Sequence, residues 1–165
     1  MFYQEVFEEL NKRGVRYLVV GGVAVSLHGV PRMTYDLDLM IGLESKNVLR
    51  TWDALIALGF SPRVPITKDD LSDGSRRKEL RLKKNMLVAS FFKGERQFDV
   101  VDILVDNPID FEECYERRAI YRYEIHEVPL IAIEDLIRLK SLANRQQDVA
   151  DIQSLKKLQD RKSVV

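Results

Sequence analysis

The sequence predicts an α/β (α+β) fold: a mixed sheet with flanking helices and a helical pair at the C-terminus. Three observations carry this. Two apolar, strand-like runs, "VRYLVV" (15–20) and "MTYDLDLMI" (33–41), are separated by the short, small-residue stretch "GGVAVSLHG". Three further strand-like runs follow one another between residues 79 and 105. Finally, residues 133–159 repeat apolar side chains at helical spacing.

The elements follow in order. Residues 2–13 place Tyr3, Val6, Phe7 and Leu10 on one helical face, and Gly14 ends the helix. "VRYLVV" is β-branched and apolar, a strand. Residues 21–29 are bracketed by glycines and set Val23, Ala24 and Leu27 on one face, a short helix. Pro31 keeps Val30 out of a helix, so 30–32 is a turn. "MTYDLDLMI" alternates and reads as a strand. Residues 45–58 align Val48, Leu49, Trp52, Leu55 and Ile56 as a helix, with Ser45 as N-cap and Gly59 as stop. Residues 61–78 hold two prolines, a glycine and many charges, and read as a loop. "ELRLKK", "MLVASFFK" and "RQFDVVDILV" read as successive strands, with turns at "NM" and "GE". Residues 110–118 are helical, and 119–131 give one or two short strands around Pro129. The helical tail breaks near Asn144–Gln147, and Asp148 is placed to cap the second helix. Residues 1–131 are expected to form the core and 132–165 to pack on it as C-terminal helices, all in a single compact unit.

Composition limits the function classes only loosely. In 165 residues, 45% apolar and 32% charged is ordinary for a globular chain. The 26 basic and 26 acidic residues cancel, so net charge gives no reason to expect nucleic acid. The single cysteine, Cys114, forbids an intrachain disulfide, which points to a reducing cytoplasm. It sits in "FEECYERR" with no histidine close in sequence, so a buried or idle thiol is expected. No apolar run approaches the roughly 18 residues that span a bilayer, and no signal peptide is evident.

The chemistry concentrates in residues 18–41. Residues i and i+2 of a strand share a face, so Asp36 and Asp38 project side by side from an apolar run. Two like charges so placed repel unless a cation neutralises them. A hard divalent ion with oxygen ligands does so, and two ions roughly 3.5–4 Å apart suit an in-line phosphoryl displacement. Alternatively the pair lies at a strand end and faces water, paired with Arg32. Gly21 and Gly22 open a helix directly after a strand, where backbone N–H groups attract phosphate. A third acid would complete the site, and "RQFDVVDILVD" offers Asp99, Asp102 and Asp106. Asp99 and Asp102 face opposite ways in a regular strand, so only one joins the pair. Asp102 lies in the most apolar part of the run and is the first choice, with Asp99 as the alternative.

Strand, Gly-Gly, short helix, R-x-T, D-x-D and a later strand bearing a lone acid resemble the nucleotidyltransferase superfamily, with its polymerase-beta-like palm. The usual glycine motif is Gly-Ser, and Gly22 replaces the serine. "DFEECYERR" and "VPLIAIEDLIRLKSLANRQQDVADIQSL" are similar to the AbiEii/MenA-like group of toxins and stand-alone nucleotidyltransferases. Its K-x4-R-x2-D-x2-D pattern is met by Lys140, Arg145, Asp148 and Asp151. The resemblance implies a nucleotidyltransferase-type mixed sheet. It implies Mg²⁺ (or Mn²⁺) on Asp36, Asp38 and Asp102, with Asp102 as third ligand or as an aid to acceptor deprotonation. It also implies a nucleotide site of Gly21, Gly22, Arg32, Thr34, Lys140, Arg145 and Asp148. The partners implied are an NTP donor, an acceptor hydroxyl on RNA, protein or a small molecule, and an antitoxin protein. An inactive nucleotide-binding or regulatory module is the other reading. "KSLANRQQDVAD" reads equally as an ion-pair network between packed helices, Arg32 as a structural partner of Asp36 or Asp38, and His28 as a surface or packed imidazole. "SRRKELRLKK" (75–84) reads as a solvated strand face and loop, or as an RNA contact.

Overall fold

A computed structural model describes residues 3–95 and 99–163. In chain order the elements are α1 (Tyr3–Lys12), β1 (Tyr17–Val20), α2 (Gly21–Leu27), β2 (Asp36–Ile41), α3 (Ser45–Ala57), β3 (Phe60–Pro62), α4 (Lys68–Ser72), α5 (Gly74–Lys83), β4 (Val88–Lys93), β5 (Val100–Leu104), α6 (Phe111–Glu116), β6 (Ala119–Tyr123), β7 (His126–Leu130), α7 (Ile133–Ala143) and α8 (Gln146–Ser163). The strands form one mixed seven-stranded sheet in the order β3-β4-β5-β2-β1-β7-β6. The pairs β2–β5 and β1–β7 are parallel, and the other four pairs are antiparallel.

Register sorts the side chains onto two faces. Tyr17 and Val19 of β1, Leu37 and Leu39 of β2, and Val101 and Ile103 of β5 share one face and are fully or almost fully buried. Phe7 of α1 stacks on Tyr17, and Trp52 of α3 meets Phe91 of β4 edge-on at 5.3 Å between centroids, so α1 and α3 cover this face. The other face carries Val20, Asp36, Asp38, Val100, Asp102 and Ser90. Leu136 of α7 and Leu155 of α8 are fully buried in the same core as β1 and β2. Buried Asn47 ties α3 to the sheet by bonding the Arg16 backbone N–H and the Arg16 and Gly42 carbonyls.

Several expectations need correction. Residues 61–78 are not a loop throughout: Thr67 and Asp70 form a capping box that starts α4, and Asp73 accepts from the Arg76 N–H to start α5. "ELRLKK" is helical, not a strand. Its alternating leucines mislead, because Leu80 is buried and Leu82 is 70% exposed. Glu, Arg, Leu and Lys all favour helix once a cap is present. The basic stretch 75–84 is therefore a helix surface rather than a strand face. Ser45 does not cap α3: Glu44 occupies that position, and the Ser45 hydroxyl donates to the Ser72 carbonyl at 2.9 Å. Strand β2 starts at Asp36, three residues later than the alternation suggests. The expected strand 96–105 is a strand over Val100–Leu104, and Arg96, Gln97 and Phe98 lie outside the described residues. The break between α7 and α8 falls at Asn144, whose φ of 50° is left-handed.

Candidate active site

Antiparallel β1–β2 and parallel β2–β5 bring the last residues of β1 to the first residues of β2 and β5. Val20 pairs with Asp38, Asp36 with Val100, and Asp38 with Asp102. Paired residues of neighbouring strands point to the same face, so Asp36, Asp38 and Asp102 share one face at one end of the sheet. Asp99 precedes β5 and faces Tyr3 of α1, whose phenol is pushed up to about 12 by burial and by Asp36, Asp38 and Asp99. The Tyr3 hydroxyl donates to the Tyr35 carbonyl at 2.7 Å and so pins the chain as it enters β2.

The acids are held at a cost. Burial, then Asp102 and Asp36, push the Asp38 carboxyl up to about 7, while Lys140 and Arg145 pull the other way. Asp102 is also raised, mainly by burial, with the Asp36 charge adding to it. Its relief comes from the Ser90 hydroxyl, which donates to Oδ1 at 2.5 Å, and from the Arg63 charge. Asp38 leans instead towards Gly21 at the end of β1: a Cβ on Gly21 would collide with the Asp38 carboxylate. Asp38 thus lies towards β1 and Asp102 towards β4, and Asp102 is the strongest charge acting on Asp38. Among the described residues, no three acid, His or Cys side chains are drawn together as a ready metal cluster. The donor set is nonetheless all carboxylate oxygen, the chemistry of a hard divalent ion, and Asp38 is half-buried with its charge only partly balanced.

Gly21 has φ of +66°, which a side chain rarely adopts, and Gly22 lies under the Arg32 guanidinium and the Thr34 hydroxyl, with no room for a Cβ. Arg32 is not the partner of Asp36 or Asp38. Its Nε lies 3.1 Å from Asp151 Oδ1 on α8. Asp151 Oδ2 is 2.8 Å from Lys140 Nζ, and Lys140 reaches Asp148 Oδ1 at 3.2 Å. Arg32 Nε and Asp151 Oδ2 lack aligned hydrogen bonds, so their contacts are charge pairs rather than directional bonds. Asp148 also accepts from the Arg145 backbone N–H at 3.1 Å, capping α8 from its third position, and from Arg145 Nε at 2.9 Å. The ion-pair network reading of "KSLANRQQDVAD" is what the side chains form. Lys140 is 5% exposed and fully engaged, whereas the Arg145 side chain is 76% exposed.

His28 is a packed imidazole: burial lowers its pKa and Nε2 sits 2.7 Å from the Ile131 carbonyl. Burial, with Asp135 adding to it, pushes the Cys114 thiol up to about 11, as expected for an idle thiol. An open concavity of about 500 Å³ lies at the opposite end of β2 and β5, lined by Gly42, Glu44, Asn107, Asp110 and Glu112 among others. Its two glutamates are already tied to Arg16, and Asp110 caps α6 by accepting from the Glu113 N–H. Sequence reasoning missed Ser90 and Arg63, because only the β4–β5 pairing brings Ser90 opposite Asp102. No helix is long and apolar enough to cross a membrane among the described residues.

No protein-family profile and no curated protein matches the chain in sequence. Solved structures do match its fold. The lincosamide antibiotic adenylyltransferase LnuA, bound to lincomycin, is 16% identical with a TM-score of 0.63, covering 95% of this chain and 96% of that one. A putative nucleotidyltransferase from Thermotoga maritima is 13% identical with a TM-score of 0.57, covering 96% and 90%. ANT(2")-Ia in complex with adenylyl-2"-tobramycin is 11% identical with a TM-score of 0.57, covering 97% and 92%. The fold of this chain is that of the nucleotidyltransferases.

Proposed function

We infer that the protein is a metal-dependent nucleotidyltransferase. It moves a nucleoside monophosphate from an NTP to an acceptor hydroxyl and releases pyrophosphate. The observation that carries this reading is the register of β2 on β5, which sets Asp38 beside Asp102 with Asp36 on the same face. Asp36, Asp38 and Asp102 would hold Mg²⁺ or Mn²⁺, and the bound ion supplies positive charge to the phosphates. Exposed Arg145 meets the triphosphate. Lys140, locked between Asp148 and Asp151, acts through its field on Asp38 and through the packing of α7 on α8. Gly21 and Gly22 let the chain pass close to phosphate, with Arg32 and Thr34 beside them. The acceptor oxygen attacks the α-phosphorus, the bond to pyrophosphate breaks, and Asp102, as third metal ligand or as base, helps remove the acceptor proton.

The names of two fold neighbours, an adenylyltransferase of lincosamides and a complex with adenylyl-tobramycin, support ATP as donor and a small-molecule acceptor. An RNA acceptor, a toxin role with an antitoxin partner, and a cytoplasmic location rest on the resemblance of residues 110–158 and on the lone cysteine. A second reading, a nucleotide-binding or regulatory module without turnover, is favoured by the Ser90 bond on Asp102 and the internally paired Lys140. Incubation with each labelled NTP, Mg²⁺ or Mn²⁺ and a mixture of cellular acceptors separates the two. Label transfer that disappears when Asp36→Ala and Asp38→Ala are combined supports the enzyme. Metal-dependent NTP binding without any transfer supports the module.

A further inference from the structure

Position 22 is glycine for a reason that position 21 does not share. Gly21 has φ of +66°. The φ of Gly22 lies outside the left-handed region, and the residue sits in the first turn of α2, where any side chain fits the dihedrals. Space is what excludes a side chain at 22. A Cβ there would run into Arg32 Nη1 and come within 2.9 Å of the Thr34 hydroxyl. Nη1 is the far end of a long, flexible side chain, so another group must keep it over the glycine.

Asp151 is that group. Arg32 lies in the link between α2 and β2, where its carbonyl accepts from the Ser26 hydroxyl at 3.0 Å. Its side chain, 19% exposed, crosses to α8 and sets Nε 3.1 Å from Asp151 Oδ1. The other oxygen of Asp151 is 2.8 Å from Lys140 Nζ, so this carboxylate is fixed from both sides. Nε is the nitrogen that meets the carboxylate. Among the described residues the two terminal nitrogens of Arg32 donate no hydrogen bond. A guanidinium held at Nε keeps those terminal donors for a second anion. Gly21 abuts the Asp38 carboxylate and Gly22 abuts the guanidinium, so an acid and a cation flank one turn of backbone. That combination suits a metal-bound phosphate, whose oxygens accept from a guanidinium edge.

We propose that Asp151 is a positioning residue of the nucleotide site: from α8 it holds the Arg32 guanidinium in the room left by Gly22, where the terminal nitrogens bind the phosphates of the NTP. The inference rests on the transferase reading above. It gives Gly22 a task other than close backbone approach, since the missing side chain admits the guanidinium. It also makes the C-terminal helix part of the phosphate site, through a residue that touches no phosphate itself. An ion pair that only fastened α8 to the link before β2 would be felt in stability and not in nucleotide affinity.

The test is titration calorimetry of a non-hydrolysable ATP analogue with Mg²⁺ into the parent and variants, with melting temperatures as the check on folding. Gly22→Ala collides only with the tip of a flexible side chain, so it displaces the guanidinium while every charge of the network stays in the chain. It keeps the test alive if a charge substitution unfolds the protein. Gly22→Ala and Arg32→Ala are each expected to weaken the analogue about tenfold, and the double variant to be within about threefold of either. Asp151→Asn, which leaves Lys140 paired with Asp148, is expected to weaken it at least about threefold in the parent and to change nothing once Arg32 is Ala. Unchanged affinity in any of the three single variants overturns the inference. So do losses from Gly22→Ala and Arg32→Ala that multiply to about a hundredfold, or an Asp151→Asn loss that persists in the Arg32→Ala background. Absence of Mg²⁺-dependent binding of the analogue by the parent overturns the transferase reading itself, and this inference with it.

Discussion

Two charged regions meet at the end of β1, and they solve the same problem in opposite ways. On the C-terminal helices, Lys140, Arg32 and Arg145 are neutralised within the chain by Asp148 and Asp151. On the sheet, Asp36, Asp38 and Asp102 make no ion pair among the described residues, and Asp102 is relieved first by a neutral hydroxyl from Ser90. The first region holds two helices together, whereas in the second the carboxyls of Asp38 and Asp102 are pushed up. Clustered charge by itself therefore does not identify a ligand site. The distinguishing feature is whether the chain has already supplied the counter-charge.

The contrast can be broken most severely at Lys140. Lys140→Ala leaves Asp148 and Asp151 buried with one cation fewer, and such a broken pair costs about 3–5 kcal/mol. Urea unfolding is expected to show a loss of that order. A loss below about 1 kcal/mol would place Lys140 with the ligand-facing residues instead.

A smaller effect, of opposite sign, is expected at the acids. The folded-state pKa of Asp38 is raised from 3.8 to about 7. Between those values the folded protein holds a proton that the unfolded chain releases. Stability from this group is thus present below pH 3.8 and is lost as pH rises through about 7. The shift caps the effect at about 4 kcal/mol. In EDTA, Asp38→Asn should raise the melting temperature by a few degrees at pH 8 and leave it unchanged at pH 3.5. A variant that melts lower than the parent at pH 8 would mean that the carboxylate is already paired.

The smallest stability effect belongs to Arg145. Its side chain is 76% exposed, so Arg145→Ala should cost under about 1 kcal/mol. Its contribution is expected in nucleotide affinity, as a rise of about tenfold in the KM for the NTP with little change in the acceptor KM. Unchanged KM for the NTP would leave Arg145 as part of the helix cap alone.

Much of this was legible in the residues. The D-x-D on an alternating run placed both acids on one face, and the apolar setting of Asp102 separated it from Asp99. A break near Asn144–Gln147 followed from the interrupted helical spacing, and it falls at Asn144. What escaped was non-local or set by caps. Ser90 gains its meaning only from the β4–β5 register, and Arg32 finds Asp151 some 120 residues later in sequence. Residues 68–83 looked like loop and strand because prolines and alternating leucines outweighed the Thr67 and Asp73 caps that start two helices. Local pattern reads which face a side chain takes, whereas its counter-charge is settled by tertiary packing.

We propose that the three acids, which make no salt bridge among the described residues, take up a metal together with a nucleotide. Titration calorimetry of ATP into the protein, with Mg²⁺ or with EDTA, tests it directly, alongside a variant combining Asp36→Asn and Asp38→Asn. The expected result is ATP binding that requires Mg²⁺ in the parent and is absent from a variant that melts no lower than the parent. Equal ATP binding in EDTA, or binding that survives in the variant, would contradict the account.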